Sequence, residues 1–389
     1  MNQKLHSNIW KLFFIKALRW FLVAMPIIVL FFQENGLSLF EIMILQSTYS
    51  LVVALLEIPS GFFADVLGRK KSLIIGGILS FIGFTIISFS FDFWQFFVAQ
   101  ILLGIGQSFV SGSDSALLYD SLSVLNKTKE YDKVEGKSYG IGNFSEAVAG
   151  ITGGLLAGLS LRYPWYAQMT VAFFVIPLAY SLVEPQIEKK KIEKNLKSIL
   201  NIVKYSIIEN KVIKGLILTS TFIGIATLSA AWFAQPYFSQ INLPIKWFGI
   251  VWALLNLSAG FSSFNSYKLS KFIDNKKRLY VLSVLIGISF VSMTFLGNYF
   301  GLIFLFLIFV MRGFTTPVLY NLINSRTNFE IRATVLSIRS FCIRIGFAIV
   351  GPIIGWISDT GSLNTGLIII GIITGLMSCL VLWKTDLSN

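Results

Sequence analysis

The sequence contains few of the side chains on which soluble enzymes rely. It has one histidine, His6, and two cysteines, Cys342 and Cys379, in 389 residues. Both cysteines lie in apolar runs, so neither a disulfide framework nor a redox motif is indicated. A histidine-based metal site or catalytic triad needs more than the single His6. We therefore expect no enzyme activity, no metal and no cofactor.

Charged residues are also scarce. They make up 13% of the chain, against about 25% in soluble domains. Hydrophobic residues make up 55% and the mean hydropathy is +0.73, which excludes a water-soluble protein. The 36 phenylalanines and 31 glycines are typical of helices that face lipid and pack closely together. The composition predicts an all-α membrane protein with many spans.

The positive charge of the chain is distributed unevenly. A net charge of +13 would indicate a nucleic-acid partner in a soluble chain. Here the lysines and arginines concentrate in alternate breaks between apolar runs, whereas the other breaks contain only Arg162 and Lys246. Cytoplasmic loops are the ones enriched in Lys and Arg. We therefore predict a multi-pass protein of the cell membrane with both termini in the cytoplasm, and no nucleic-acid partner.

Twelve apolar runs follow one another along the chain, each close to the roughly 20 residues that a bilayer requires. The predicted spans are 9–32, 39–63, 73–91, 94–117, 138–161, 164–183, 212–238, 246–267, 279–297, 300–324, 334–357 and 363–383. They predict an N-terminal six-helix bundle over 1–183 and a C-terminal six-helix bundle over 212–389. The polar stretch between them, 184–211, has apolar residues every three or four positions and lysines in between. We predict a cytoplasmic amphipathic linker on the lipid surface, with a partner-binding helix as the alternative.

The two halves carry similar segments at similar offsets. Residues 271–279 follow the eighth run as residues 61–73 follow the second, at an offset of 206 residues. A glycine pattern at 149–154 in the fifth run is repeated at 351–356 in the eleventh, at an offset of 202 residues. Transporters are commonly built from such repeats, with a substrate site at the repeat interface near the middle of the membrane.

A motif of glycines and charges joins the second and third runs. Its residues are Gly61, Asp65, Gly68, Arg69 and Lys70. Gly61 permits a close approach of helices and Gly68 permits a tight turn, while Asp65 can accept hydrogen bonds at a helix N-terminus. In spacing, loop number and predicted side of the membrane, the segment resembles the loop signature of the major facilitator superfamily.

This resemblance implies a fold and a mechanism. It implies twelve transmembrane helices in two pseudo-symmetric six-helix bundles, one central substrate site, and alternating access by rocking of the halves. It also implies a cytoplasmic latch, in which Asp65 meets the N-terminus of the eleventh helix near Thr334 and Arg69 bridges Asp65 and Asp120. The alternative is a loop that only follows the positive-inside rule. Gln100 stands where many members carry a proton-linked arginine.

Five ionisable residues lie inside the predicted spans of the first half: Lys16, Arg19, Glu57, Asp114 and Glu146. Each such group costs roughly 2.5–3.5 kcal/mol near the bilayer centre, so it usually faces a cavity and has a function. Similar depths along their helices predict a Lys16–Glu57 pair and an Arg19–Glu146 pair. We expect the three acids, with Arg19, to carry out proton coupling. Static ion pairs that hold helices together are the alternative.

The second half has arginines inside its predicted spans but no acid. We expect Arg339 to stay near the cytoplasmic mouth, where it reaches the interface or joins the latch. Arg312 and Arg344 lie deeper and need an anion. The anion is either an acid of the first half, such as Glu146 or Asp114, or an anionic substrate.

Aromatic and amide side chains are the candidates for the remaining wall of a substrate cavity. They are Trp20, Tyr49, Trp232, Gln235, Tyr237, Trp252, Asn256 and Tyr320. Most aromatic residues in such a chain face lipid or lie in the core, so each assignment is a separate hypothesis.

The last question for the sequence is the energy source and the substrate class of the predicted carrier. Direct drive by ATP is excluded, because Tyr131 stands where a phosphate loop that ends in Gly136-Lys137-Ser138 requires glycine. We expect a monomeric, proton-coupled exporter of hydrophobic or amphipathic small molecules, including drugs. Uptake or exchange of an organic anion through the arginines of the second half is the alternative. A sensor or channel without transport is disfavoured by the latch.

Overall fold

All regular structure in the described part of the chain is helical. The structure, a computed structural model, describes residues 2–185, 196–266, 274–296, 298–328 and 331–386. The helices of the first half are α1 Asn2–Trp20, α2 Ile28–Glu34, α3 Leu39–Leu67, α4 Arg69–Phe89, α5 Phe93–Val110, α6 Ser113–Val124, α7 Tyr131–Ala157 and α8 Tyr163–Tyr180. Short 3-10 helices at Met25–Ile27 and Thr128–Glu130 precede α2 and α7.

The helices of the second half follow the same pattern of long segments and short turns. They are α9 Leu196–Lys204, α10 Lys211–Gln240, α11 Phe248–Phe264, α12 Asn275–Leu296, α13 Gly301–Ser325, α14 Arg332–Thr360 and α15 Leu363–Lys384. A π-helical turn at Tyr205–Glu209 joins α9 to α10, and a 3-10 helix at Ile245–Trp247 precedes α11.

Within the described ranges, ten segments are long and apolar enough to cross a membrane. Two of them, Leu5–Glu34 and Phe93–Val124, each combine α-helices that an interruption divides. Helices α7 and α8 occupy the positions of the fifth and sixth predicted spans. The prediction of an all-helical membrane protein is confirmed, whereas the number of twelve spans stays a prediction.

The contacts divide the chain into two compact units. Unit 1 comprises Met1–Leu37, Thr48–Lys191 and Ile245–Ala253, and unit 2 comprises Ser38–Ser47, Ile192–Pro244 and Leu254–Asn389. The first turns of α3 therefore belong to unit 2 and the remainder of that helix to unit 1. The predicted boundaries at 183 and 212 stay predictions. Part of the predicted linker, 186–195, and part of the repeated segment, 271–273, lie outside the described residues.

A buried apolar cluster in unit 1 sets α1 against α4 and α6. It contains Leu12 and Ile15 of α1, Leu73 of α4, and Leu117 and Leu118 of α6. Residues three or four positions apart share a helix face. The same faces therefore continue to Lys16 and Arg19 on α1 and to Asp114 on α6, and the cluster brings these three charged residues toward one another.

Close backbone contact joins α4 to α5 in unit 1. A Cβ atom added at Gly106 of α5 would lie 3.0 Å from the Gly76 carbonyl oxygen and 3.1 Å from Ser80 Oγ of α4. Likewise, a Cβ atom at Gly154 of α7 would lie 3.0 Å from the backbone nitrogen of Gly249, at the start of α11. Small residues let helix backbones approach in this way within a membrane.

Unit 2 holds the N-terminus of α3 with two sets of hydrogen bonds. Ser38 and Glu41 form a capping box, in which the Ser38 N–H donates to Glu41 Oε2 at 2.9 Å and the Glu41 N–H donates to Ser38 Oγ at 3.2 Å. Asp359, near the end of α14, accepts from the N–H groups of Leu39 at 3.0 Å and Phe40 at 2.8 Å. Because the capping box already caps the N-terminus of α3, the main effect of the Asp359 carboxylate is to hold α14 against α3.

Helix α10 is the central element of unit 2. It is the most deeply buried of the candidate spans and packs against α13, α14 and α15. Its small and hydroxylated residues, including Thr219 and Ser220, are buried at these contacts. This packing places polar side chains of α10 opposite α14, where Arg339 lies.

We predict that Gly106→Leu lowers the free energy of unfolding by about 1–3 kcal/mol, because the added side chain collides with the backbone of α4. The matched control is Gly140→Leu on α7, where an added Cβ atom meets nothing within 4 Å. Thermal unfolding of the detergent-solubilised protein measures both. Equal stability of the two variants would contradict the close packing of α4 and α5.

Candidate functional site

The first span is interrupted in its middle. Helix α1 ends at Trp20, and regular helix resumes only at the Met25–Ile27 turn. The sequence predicts a span over 9–32, and the structure has a candidate span at Leu5–Glu34, but the interruption within it is not part of the sequence prediction. Pro26 is the signal for the break, because proline has no N–H to donate and disrupts a preceding helix.

The fourth span is interrupted as well. Helices α5 and α6 are separated by Ser111 and Gly112, and Gly112 has φ = 75°, in the left-handed region that favours glycine. The sequence predicts a span over 94–117, and the structure has a candidate span at Phe93–Val124, but its division into α5 and α6 is not part of the sequence prediction. Discontinuous helices near the middle of the membrane are a recurring feature of substrate and ion sites in transporters.

The irregular backbone of the first break is buried in protein. Val23 and Ala24 are almost inaccessible. The Val23 N–H donates to Gln168 Oε1 of α8 at 2.8 Å. Non-helical backbone at membrane depth is tolerated where protein groups satisfy it. Gln168 therefore stabilises the break, and the sequence reasoning missed this residue.

Three charged side chains meet beside the two breaks, and we call them the Asp114 cluster. Lys16 Nζ lies 3.0 Å from Asp114 Oδ2, and Arg19 Nη1 lies 3.3 Å from the same oxygen. Arg19 Nη2 also donates to Gln107 Oε1 at 2.9 Å. All three charged side chains are at most 15% exposed. Two cations against one carboxylate leave the cluster with a formal charge of +1.

The charges of the cluster match the helix ends on which they lie. Arg19 is in the last turn of α1, where the helix dipole favours a cation. Asp114 is in the first turn of α6, where the dipole favours an anion, and its Oδ1 accepts from the Ser115 N–H at 2.9 Å. The interruptions therefore create the electrostatic environment that holds the ion pairs.

The partners of Lys16 and Arg19 differ from those that the sequence predicts. Depth along uninterrupted helices predicts Glu57 for Lys16 and Glu146 for Arg19, but the structure places both cations on Asp114. Among the described residues, Glu57 forms no ion pair with Lys16 and lies half-buried on α3. Glu146 lies half-buried on α7. The predicted roles of Glu57 and Glu146 in proton coupling stay predictions.

Helix α7 contributes neighbours to the cluster. Ser115 Oγ donates to Glu135 Oε1 at 2.6 Å, which extends the polar contacts from α6 to α7. The ring of Trp20 lies 5.7 Å from Lys16 Nζ and meets Tyr139 edge-on, with 5.4 Å between ring centroids. The structure thus brings Trp20, a predicted cavity residue, to the Asp114 cluster. Glu135 and Tyr139 were missed by the sequence reasoning.

The charged residues of the loop motif also come together in unit 1. Arg69 Nη1 lies 2.6 Å from Asp120 Oδ2, and Arg69 Nη2 lies 3.8 Å from Asp65 Oδ1. The Asp65 side chain is 66% exposed. Arg69 therefore bridges the two acids, which is the arrangement that the family resemblance implies. A Cβ atom at Gly61 would meet nothing within 4 Å, so the close helix approach predicted there is not formed.

The turn before α4 is held by a residue outside the motif. Gly68 has φ = 108°, and the carboxylate of Glu184 accepts from the N–H groups of Arg69 at 2.8 Å and Lys70 at 2.7 Å. A Cβ atom at Gly68 would lie 3.1 Å from the Glu184 carboxyl carbon. Glycine is thus required both for the backbone conformation and for room for the carboxylate. The sequence contains no local signal for this contact, because Glu184 is more than a hundred residues away.

Unit 2 buries an arginine that the sequence places at the membrane surface. Arg339 of α14 is 8% exposed. Its Nε donates to Ser220 Oγ of α10, and its guanidinium carbon lies 4.5 Å from the ring centroid of Tyr320 on α13. The expected reach of Arg339 to the interface is therefore wrong. Arg312 and Arg344, the predicted anion-binding arginines, are both half-buried.

The remaining predicted cavity residues have varied surroundings. Tyr237 is fully buried and donates from Oη to the Met293 carbonyl oxygen at 3.0 Å, which makes it a core residue of unit 2. Trp252 and Gln235 are buried, and the half-buried members are Tyr49, Trp232 and Asn256. Their assignment to a substrate cavity stays a prediction.

We predict that Asp114→Asn destabilises the protein by about 3–5 kcal/mol, because it leaves two buried cations without a carboxylate. Adding Lys16→Met to this variant removes one of the two cations and should restore part of the loss. Glu135→Gln is the control, since an amide oxygen can still accept from Ser115. Thermal unfolding in detergent measures all three, and a double variant no more stable than Asp114→Asn would contradict the coupling.

The comparisons with known proteins agree with this architecture. Among curated proteins, none matches the chain in sequence. A crystal structure of a point mutant of the nucleoside transporter NupG is similar, with a TM-score of 0.82 at 13% identity over 98% of this chain and 100% of that one. The NupG structure without that mutation gives a TM-score of 0.77 at 12% identity, over 98% of each chain. A POT family transporter in complex with a thioalcohol-conjugated peptide gives 0.68 at 14% identity, over 98% of this chain and 96% of that one.

The sequence itself carries the pattern of a transporter family. The model of the Major Facilitator Superfamily matches residues 10–328, which include the loop motif and both helix interruptions. The matched region extends over most of the chain. The chain therefore belongs to the Major Facilitator Superfamily.

Proposed function

We propose that the chain is a proton-coupled secondary carrier of small organic anions in the cell membrane, with both termini in the cytoplasm. The observation that carries this proposal is the surplus positive charge of the Asp114 cluster, in which Lys16 and Arg19 share one carboxylate oxygen. Such a cluster repels a cationic substrate and attracts an anionic one. Its position beside two interrupted helices supports a binding role.

The geometry suggests how substrate and proton are coupled. A substrate carboxylate that binds Lys16 and Arg19 takes the place of Asp114, whose side chain then lacks its counterions. A carboxyl group without counterions in a site of low polarity is more stable in its neutral form. Asp114 accordingly accepts a proton on Oδ2 while the anion is bound. After the anion leaves, the proton is released and the carboxylate returns to the two cations.

The family membership supports alternating access as the route across the membrane. In this scheme the transporter moves one substrate at a time and needs no ATP. Because one proton moves with each monovalent anion, the step carries no net charge, and the driving force is the pH gradient, worth about 1.4 kcal/mol per pH unit. The structural relatives are transporters by their names, and at 12–14% identity they support the fold but no choice of substrate.

Proton-coupled export of hydrophobic or amphipathic molecules, including drugs, is a second candidate. It is favoured by the aromatic pair of Trp20 and Tyr139 beside the cluster, because Tyr139 is exposed and the two rings present apolar faces. An amphipathic anion satisfies both observations, with its charge on the cations and its apolar part against the rings. A cationic drug satisfies only the second.

The experiment that separates the two candidates uses purified protein in liposomes with an imposed pH gradient. Carboxyfluorescein serves as the anionic probe and ethidium as the cationic one. Carboxyfluorescein uptake that depends on the pH gradient supports anion transport. Ethidium flux without carboxyfluorescein flux would favour the drug exporter and overturn the first proposal.

We predict that Arg19→Gln reduces carboxyfluorescein uptake at least tenfold, because the cluster loses its surplus charge. The control is Lys11→Gln on the same helix, since Lys11 donates to the Ser181 carbonyl oxygen and lies outside the cluster. Initial uptake rates in the liposomes measure both variants. Wild-type uptake by Arg19→Gln would remove the cluster from the substrate site.

We further propose that the loop motif is the cytoplasmic latch that the resemblance implies. Asp65→Asn should impair transport while insertion into the membrane is unchanged, because the amide removes the negative charge that Arg69 meets. Lys71→Gln, an exposed residue of the same segment, is the matched control. Uptake rates and membrane yield are measured together, and normal flux in Asp65→Asn would contradict a latch.

A further inference from the structure

Arg339 has unusual surroundings for a buried cation. It lies seven residues after the start of α14, or about 10 Å along that helix. Its side chain packs against Ser220 of α10 and the ring of Tyr320 on α13, and all three residues are in unit 2. Both neighbours are neutral, so neither balances the positive charge of the guanidinium group.

The sequence leaves few acids that are able to balance this charge. From residue 212 to the C-terminus the only carboxylate side chains are Asp274, Glu330, Asp359 and Asp386. Asp359 is 20 residues from Arg339 on the same helix, about 30 Å away, and is bonded to the N-terminus of α3. Asp274 accepts from the backbone of Lys276 at 3.0 Å. In the portion of the chain that the structure describes, Arg339 forms no ion pair.

Two other arginines that are buried or half-buried, Arg162 and Arg278, serve for comparison. Arg162 of unit 1 donates to the carbonyl oxygens of Ser88 and Ser90 and to Asn35 Oδ1, at 2.6–3.1 Å. Arg278 of unit 2 donates to Asn275 Oδ1 at 2.6 Å and reaches the Ser266 carbonyl oxygen at 3.4 Å. Arg162 is thus held by three oxygen atoms of its own unit and Arg278 by two. Arg339 has the hydroxyl groups of Ser220 and Tyr320, and neither partner is a carbonyl or an amide oxygen.

The chemistry of this arrangement selects one class of ligand. A guanidinium group presents a planar pair of terminal N–H donors that matches the two oxygens of a carboxylate. A buried cation without a counterion is costly and in membrane proteins usually marks a substrate or ion pathway. Ser220 holds Nε, and Tyr320 contacts the guanidinium group with its ring and its hydroxyl, whereas no carboxylate of the described residues pairs with the terminal donors.

We propose that Arg339, positioned by Ser220 and Tyr320, is a second anion site, which lies in unit 2 and binds a carboxylate group separately from Lys16 and Arg19 of unit 1. This inference rests on the proposed transport of organic anions and names a residue for it. It replaces Arg312 and Arg344, the two arginines that the sequence favours. Ser220 and Tyr320 are positioning residues, whereas Arg339 contacts the ligand.

The test measures binding separately from transport. Benzoate is the probe, benzamide is its neutral isostere, and the full chain is held in nanodiscs of phosphatidylcholine. A ligand that binds the folded state raises the midpoint of thermal unfolding in proportion to its affinity. We expect benzoate, but not benzamide, to stabilise the wild-type protein.

The variants assign the binding to Arg339. Arg339→Gln should weaken the apparent affinity for benzoate at least tenfold, and Arg339→Lys should weaken it by less, because it keeps the charge but loses the planar fork. Lys384→Gln at the end of α15 is the control and should bind as wild type does. Should Arg339→Gln fail to fold, Tyr320→Phe and Ser220→Ala are measured instead, and Ser220→Ala should weaken binding several-fold because Nε loses its acceptor.

The outcomes separate this inference from the proposed function. Equal benzoate affinity in the wild type and Arg339→Gln, or no stabilisation of the wild type by benzoate, overturns the inference. If carboxyfluorescein uptake persists in that case, anion transport stands without Arg339. A second set of nanodiscs contains phosphatidylglycerol. If this lipid stabilises the wild type but not Arg339→Gln, and benzoate has no effect, the site binds a lipid headgroup and the inference is also overturned.

Discussion

The carboxylate of Asp114 is the contact on which the organisation of unit 1 depends. It joins the end of α1 to the start of α6 through Lys16 and Arg19, and these are the points at which two spans are interrupted. Removing the carboxylate leaves two cations in a region of low polarity, which is far more costly than the loss of a surface ion pair. The apolar cluster around Leu12 and Leu117 aligns the helices, and Asp114 fixes how their polar ends meet.

Interrupted helices are costly in a membrane unless protein groups satisfy the freed backbone. Here Gln168 satisfies a freed backbone N–H at the first break, and at the second break Gly112 adopts the left-handed conformation of the turn. The same interruptions place helix ends, with their partial charges, beside Arg19 and Asp114. Irregular backbone and buried charge therefore support each other, and neither feature is explained without the other.

The two units handle charge differently. Unit 1 balances its buried cations partly with Asp114, and its loop arginine, Arg69, with Asp120. Unit 2 has no acid between residues 275 and 329 or between 331 and 358, yet it buries Arg339. A carrier of anions needs positive charge that the protein itself does not neutralise. This difference in charge supports the proposed anionic substrate over the hydrophobic or amphipathic molecules, including drugs, that the sequence analysis expects.

Composition and motif spacing determined the class of this protein. Scarce charge and long apolar runs require a membrane environment, and the loop motif contains both Asp65 and Arg69, which pair in the structure, where Arg69 also meets Asp120. The tertiary structure decided the partners of the buried charges. Depth along an uninterrupted helix predicts Glu146 as the partner of Arg19. This pairing is not formed, because α1 ends at Trp20 and its last turn faces α6. Whether Arg339 reaches the membrane surface or stays buried depends on Ser220 and Tyr320, two residues of other helices that no local pattern connects to it.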